Sequence, residues 1–180
     1  MGGRVFRVAL CGLLVVAAGC GKRGAKKSPC PRATGIEKLT SAIDISAQGP
    51  FDLKSFTVAK SLWGEDGFRL EIFIANQDYA PARMAGLASP VKENGHGFVA
   101  LTLHNGGDAI AAGEYRYGRH KQTFSSLVEI GVKGRMVSPG FSEGVVRVLE
   151  IEDGRVCGDF AFRGRESVLE GAFVAPLSER

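Results

Sequence analysis

Histidine is scarce in this chain, which has three histidines among 180 residues. His96, His104 and His120 are eight and sixteen residues apart, whereas zinc ligands usually include close pairs separated by two to four residues. Ser142 lies in "GFSEG", the G-x-S-x-G pattern of serine hydrolases, but no histidine follows it and a β-branched run stands where the helix should begin. The sequence therefore predicts no metal, no cofactor and no catalytic residue, with a serine hydrolase using Ser142 as the weakest alternative.

The apolar run near the N-terminus is too short to cross a membrane as a helix. It extends over residues 8–18, and a membrane-spanning helix needs about 20 predominantly apolar residues. Arg4 and Arg7 precede the run, and small residues stand at its end, at 17–19. This is the layout of an export signal, so we predict a signal peptide over residues 1–19, cleaved before Cys20.

The sequence "AAGC" at residues 17–20 resembles the lipobox of bacterial lipoproteins, with Ala17 at the position that most often holds leucine. The resemblance implies that Cys20 is acylated on its sulfur and on its new amino group, which anchors the protein in a membrane. Gly21, in place of the aspartate that favours the inner membrane, implies an outer-membrane location in the cell envelope. A secreted soluble protein cut at the same bond is the alternative.

Acidic residues are absent from the first 32 positions, which carry seven of the 23 lysines and arginines. The rest of the chain has 16 basic and 19 acidic residues, so its formal charge is about −3. The basic character thus belongs to the signal and to residues 20–33, a Gly/Lys/Pro-rich segment that we predict to be a disordered, lipidated tether. A nucleic-acid partner is not expected.

Beyond the tether, residues 34–180 alternate apolar and polar positions in short runs separated by turn residues, which predicts β-strands. In "GFRLEIFIAN", Phe68, Leu70, Ile72 and Ile74 fall on one face. About eight such runs predict a single all-β domain, an antiparallel β-sandwich or a flattened barrel. A capping-box pattern, "TGIE" from Thr34, indicates one short helix, and the long loop at 76–97 is typical of functional or mobile segments.

The same layout resembles small β-rich lipoproteins of Gram-negative bacteria that have no established reaction. It implies a non-enzymatic, membrane-anchored envelope protein that binds an unidentified protein or small-molecule partner or has a structural role. A lipocalin-like carrier of a small apolar ligand is the alternative, since an eight-stranded barrel can enclose one ligand. The single tryptophan, Trp63, has no glycine two residues before it, which departs from the lipocalin signature.

Two cysteines, Cys30 and Cys157, would remain besides Cys20 after cleavage. In the oxidising envelope, paired thiols tend to form disulfides. Cys157 falls on the face opposite Val156 and Phe160, so its sulfur should be reachable if that face is open. A Cys30–Cys157 disulfide, two free thiols, and pairing of Cys30 with another molecule all remain open at this point.

Overall fold

A computed structural model describes residues 28–41, 52–64, 68–78, 95–132, 135–152 and 154–177. The predicted signal peptide, Cys20 and most of the 76–97 loop lie outside these ranges. The described residues contain one 3-10 turn, Leu53–Ser55, and ten strands: β1 (Gly35–Thr40), β2 (Val58–Trp63), β3 (Arg69–Ala75), β4 (Gly97–Asn105), β5 (Gly113–Tyr117), β6 (Gln122–Val132), β7 (Arg135–Val137), β8 (Glu143–Glu152), β9 (Arg155–Arg163) and β10 (Val168–Pro176).

The ten strands form one sheet in the order β1-β10-β9-β8-β5-β6-β4-β3-β2, with β7 paired to β6. Neighbours are antiparallel except β5 and β6, which are parallel over a short stretch that pairs Arg116 with Thr123. The sheet curls into a half-barrel. The curl brings β2 back to β10, where the Ser61 hydroxyl donates a hydrogen bond to the Pro176 carbonyl at 2.6 Å.

The predicted all-β class is confirmed, while the strand count is ten in the described residues against an expected eight or so. The two extra strands are β1 and β7. Where the capping-box pattern predicted a helix, residues 35–40 instead pair with β10. The reason is that the Thr34 hydroxyl bonds to the backbone of Val174, so it does not cap a helix.

One face of the sheet, called the inner face, carries the main hydrophobic core. The alternation predicted for β3 and β9 is seen there: Leu70, Ile72, Val156 and Phe162 are fully buried. Phe68 differs, with 49% of its surface exposed, because it precedes the first paired residue of β3. The opposite, outer face carries polar side chains together with a small apolar cluster formed by Phe73, Ala75 and Phe98.

Aromatic rings fill the inner face near the start of β8. Phe124 stacks on Phe162 with ring centroids 4.9 Å apart, and Phe162 stacks on Phe160 at 5.3 Å. Phe141 reaches Phe162 from the segment before β8, at 5.7 Å. Each such pair contributes about 0.5–1.5 kcal/mol beyond its buried area. The rings therefore fix β6, β8 and β9 relative to each other.

Candidate functional site

Residues 28–34, called the strap, cross the ends of three strands before β1 begins. The Ser28 hydroxyl donates to a carboxylate oxygen of Glu150 on β8 at 2.8 Å. Cys30 is bonded to Cys157 on β9. The Thr34 hydroxyl donates to the Val174 carbonyl on β10 at 3.1 Å and accepts from the Val174 amide at 2.9 Å. The last residues of the predicted tether thus lie against the sheet.

The central link of the strap is the disulfide between Cys30 and Cys157, whose Cα atoms are 5.6 Å apart. That separation is typical of disulfides. Cys157 lies on the outer face, as the alternation of β9 predicted, yet it has no exposed surface. The sequence suggested a reachable sulfur if this face were open. The bond to Cys30 instead holds the strap over this position.

Glu150 and Arg155 receive the first residue of the strap at the end of the β8–β9 hairpin. The Arg155 guanidinium donates to Glu150 Oε1 at 2.9 Å. Hydrogen bonds from Arg155 and then from Ser28 lower the pKa of the Glu150 carboxyl below its usual value. Because both bonds favour the ionised form, Glu150 holds Ser28 as a charged acceptor.

A row of ion pairs extends across the outer face from β5 to β9. Glu114 contacts Arg116 at 2.6 Å and Arg147 at 3.5 Å, and Arg147 reaches Asp159 at 2.9 Å. The hydrogen bond from Arg116 is the main reason that the pKa of Glu114 is lowered. These side chains are substantially exposed, so each pair stabilises the fold little. The row keeps this part of the face polar.

The outer face of β3, β4 and β6 forms a shallow groove of about 220 Å³. Glu71, Thr102 and Ser125 line its polar part, while Phe73 and Leu127 line its apolar part. Glu71 is 3.5 Å from the Arg69 side chain, and Leu127 is 44% exposed. Small-molecule sites usually measure about 300–1,000 Å³. The groove is therefore smaller than a typical small-molecule site and has a polar and an apolar part.

Ser142 directly precedes β8, so a strand follows it, as the β-branched run in the sequence indicated. Its hydroxyl is 3.5 Å from the Arg163 carbonyl oxygen. Among the described residues, no hydrogen bond joins Ser142 to a histidine. Nor does any group of three or more His, Cys, Asp or Glu side chains in these ranges have the arrangement of a metal site.

The contacts of Ser28 and Thr34 with the sheet, and the groove on the outer face, were not predicted from the sequence. Thr34 had a signal, the Ser/Thr-x-x-Glu pattern, which indicated a helix cap instead of a contact with β10. Ser28 and the groove had none, because hydrogen bonds between residues far apart in the chain and the depth of a groove leave no local pattern. Cys20 lies outside the described residues.

Comparison with known proteins adds no relative: no family model, curated protein or solved structure matches this chain. In the ranges that the structure describes, no helix has the length and apolar character needed to cross a membrane.

Proposed function

We propose that this protein is a lipid-anchored lipoprotein of the bacterial cell envelope, at the outer membrane, with a non-catalytic binding or structural role. The observation that carries the proposal is the sequence "VVAAGC" at residues 15–20, preceded by Arg4 and Arg7. A short apolar run, small residues and a cysteine at the cut are together typical of a lipoprotein signal. Two or more acyl chains on Cys20 would make attachment durable, at about 0.8 kcal/mol per buried methylene.

Two features of the chain next to Cys20 support this location. Residues 21–27 contain four lysines and arginines and no acid, and each basic residue near an anionic membrane surface contributes about 1 kcal/mol. The Cys30–Cys157 disulfide is of a kind that persists in oxidising compartments, of which the periplasm is one.

The packing of the inner face supports a role other than carrying an apolar ligand inside a barrel. Tyr115, Phe160 and Phe173 are almost completely buried there, so side chains occupy the region that a carrier would leave open. We propose that the curled sheet acts as a flattened barrel with a filled interior and binds its partner on the outer face. The groove between Glu71 and Leu127 is the place we favour.

Metabolic labelling tests the anchor. Cells fed labelled palmitate should label the wild-type protein, whereas Cys20→Ala should carry no label and keep its signal peptide. Cys30→Ala is the matched control, because it removes a cysteine outside the lipobox and should still be labelled. Label on Cys20→Ala, or on neither protein, would contradict the proposal and leave a secreted soluble protein.

A further inference from the structure

We infer that the strap limits the length of chain between the acylated Cys20 and the domain, and selects the end of the domain that faces the membrane. This length of chain, residues 20–30, is called the leash. The partner of that end is a phospholipid surface. The inference rests on the proposed acylation of Cys20. It goes beyond the anchor because it assigns a mechanical role to Ser28, Cys30 and Cys157, which hold the chain at one defined point on the sheet.

The strap begins at one end of the half-barrel. Ser28 contacts Glu150 and Arg155, the residues that flank the β8–β9 turn. The Leu177 amide donates to the Gly154 carbonyl at 2.7 Å, so the chain that follows β10 also lies at this turn. The Ser61 bond to Pro176 brings the end of β2 close to it. This end of the domain is called the hairpin end.

The disulfide limits the length of chain between the acylated residue and the domain. From Cys20 to Cys30, the covalently held residue, there are ten Cα–Cα steps, which span at most about 36 Å at roughly 3.6 Å per residue. Without the disulfide, Ser28 would keep only its exposed hydrogen bond to Glu150, and Thr34, 14 steps from Cys20, would allow up to about 50 Å. The strap therefore keeps the hairpin end within about 36 Å of the lipid surface.

The charges at the hairpin end fit this arrangement. Arg155 offsets the charge of Glu150, which leaves about one net negative charge, on the exposed Glu152, among the described side chains of this end. Residues 21–27, which precede the strap in the sequence, carry four positive charges, so the attachment as a whole is attractive to anionic headgroups. The β9–β10 turn, with exposed Arg165 and Glu166, is at the other end of β9. It faces away from the membrane, where soluble partners can reach it.

Two insertions of equal length on either side of the disulfide test the inference. A flexible Gly/Ser insertion of about 12 residues between Lys27 and Ser28 lengthens the leash, so its root-mean-square span should grow about 1.5-fold. The same insertion between Arg32 and Ala33, two exposed strap residues, lies beyond the disulfide and should leave the leash unchanged. Non-reducing peptide mapping and a thermal unfolding scan of each protein verify the Cys30–Cys157 bond and the fold.

The readout is energy transfer from Trp63, the only tryptophan, to dansyl-labelled lipid in phosphatidylethanolamine/phosphatidylglycerol vesicles that carry the lipidated protein. Trp63 follows Ser61 on β2 and is therefore near the hairpin end. We expect lower transfer only for the insertion before Ser28. Equal losses for both insertions, or no loss for either, would overturn the leash. Failure of the anchor is recognised separately, because Cys20→Ala would then bind the vesicles as the wild type does.

Discussion

Removal of the Cys30–Cys157 disulfide should lower the stability of the domain by an amount that follows from its position. The bond joins residues 127 apart in the chain. In the chain-entropy model a closed loop of that length loses about 16 cal/mol/K of unfolded-state entropy, which is about 5 kcal/mol at 25 °C. We therefore expect Cys30→Ala/Cys157→Ala to reduce the free energy of unfolding by about 5 kcal/mol.

The prediction depends on the unfolded chain, so it has a second signature besides the loss of stability. The variant's unfolded state is less compact, and its denaturant m-value should rise. Ser28→Ala is the matched control, because it removes the exposed hydrogen bond to Glu150 and leaves the disulfide intact. Its cost should stay near 1 kcal/mol or below.

Urea unfolding followed by circular dichroism measures both quantities, after non-reducing peptide mapping has verified the bond in the wild-type protein. For a domain of this size, 5 kcal/mol corresponds to a fall in Tm of about 10–20 °C. A fall below about 3 °C with an unchanged m-value would refute the reasoning. It would mean that the cross-link does not restrict the unfolded chain as the chain-entropy model requires.

Residue alternation is what made the strands predictable. In β9, the buried side chains Val156, Phe160 and Phe162 alternate with Cys157 and Asp159 on the outer face, because successive side chains of a strand point to opposite faces. This period is a local property of the sequence. It identified eight of the ten described strands and placed Cys157 on the correct face.

The remaining features depend on contacts between distant parts of the chain. β1 lacks a clear alternation and is a strand because β10 offers it an edge, with Gly35 paired to Ala172. The return of β2 to β10 places Ser61 beside Pro176, which is 115 residues away in the chain. Nothing local to Cys30 indicates that it lies beside Cys157. The sequence therefore identified Cys30 and Cys157 as a candidate pair. The path of the strap across the sheet could not be predicted from it.

Two further predictions concern side chains within the sheet. In Gly158→Ala, the new Cβ would collide with the Arg147 carbonyl oxygen on the neighbouring strand and lie 2.7 Å from the Phe173 ring. Urea unfolding should therefore show a loss of about 3 kcal/mol or more, whereas Gly35→Ala, with no atom within 4 Å of its added Cβ, should change stability by less than about 0.5 kcal/mol. The last prediction concerns the buried Tyr115, whose hydroxyl donates to the Ala111 carbonyl at 2.8 Å and accepts from its amide at 3.0 Å. Tyr115→Phe removes both bonds and should cost about 1–2 kcal/mol at pH 7. Burial raises the pKa of Tyr115 above its ordinary value of 10.0, so its stabilising effect is fully present below the unfolded-state pKa and is lost as the pH rises through the folded-state pKa. Unfolding free energies measured between pH 7 and 11 should therefore converge for the two proteins above about pH 10, since the phenol of the wild type ionises first in the unfolded chain and stabilises that state, which Tyr115→Phe cannot do. Parallel curves over the whole range would contradict this assignment, because they would mean that the hydroxyl ionises as readily in the folded protein as in the unfolded chain.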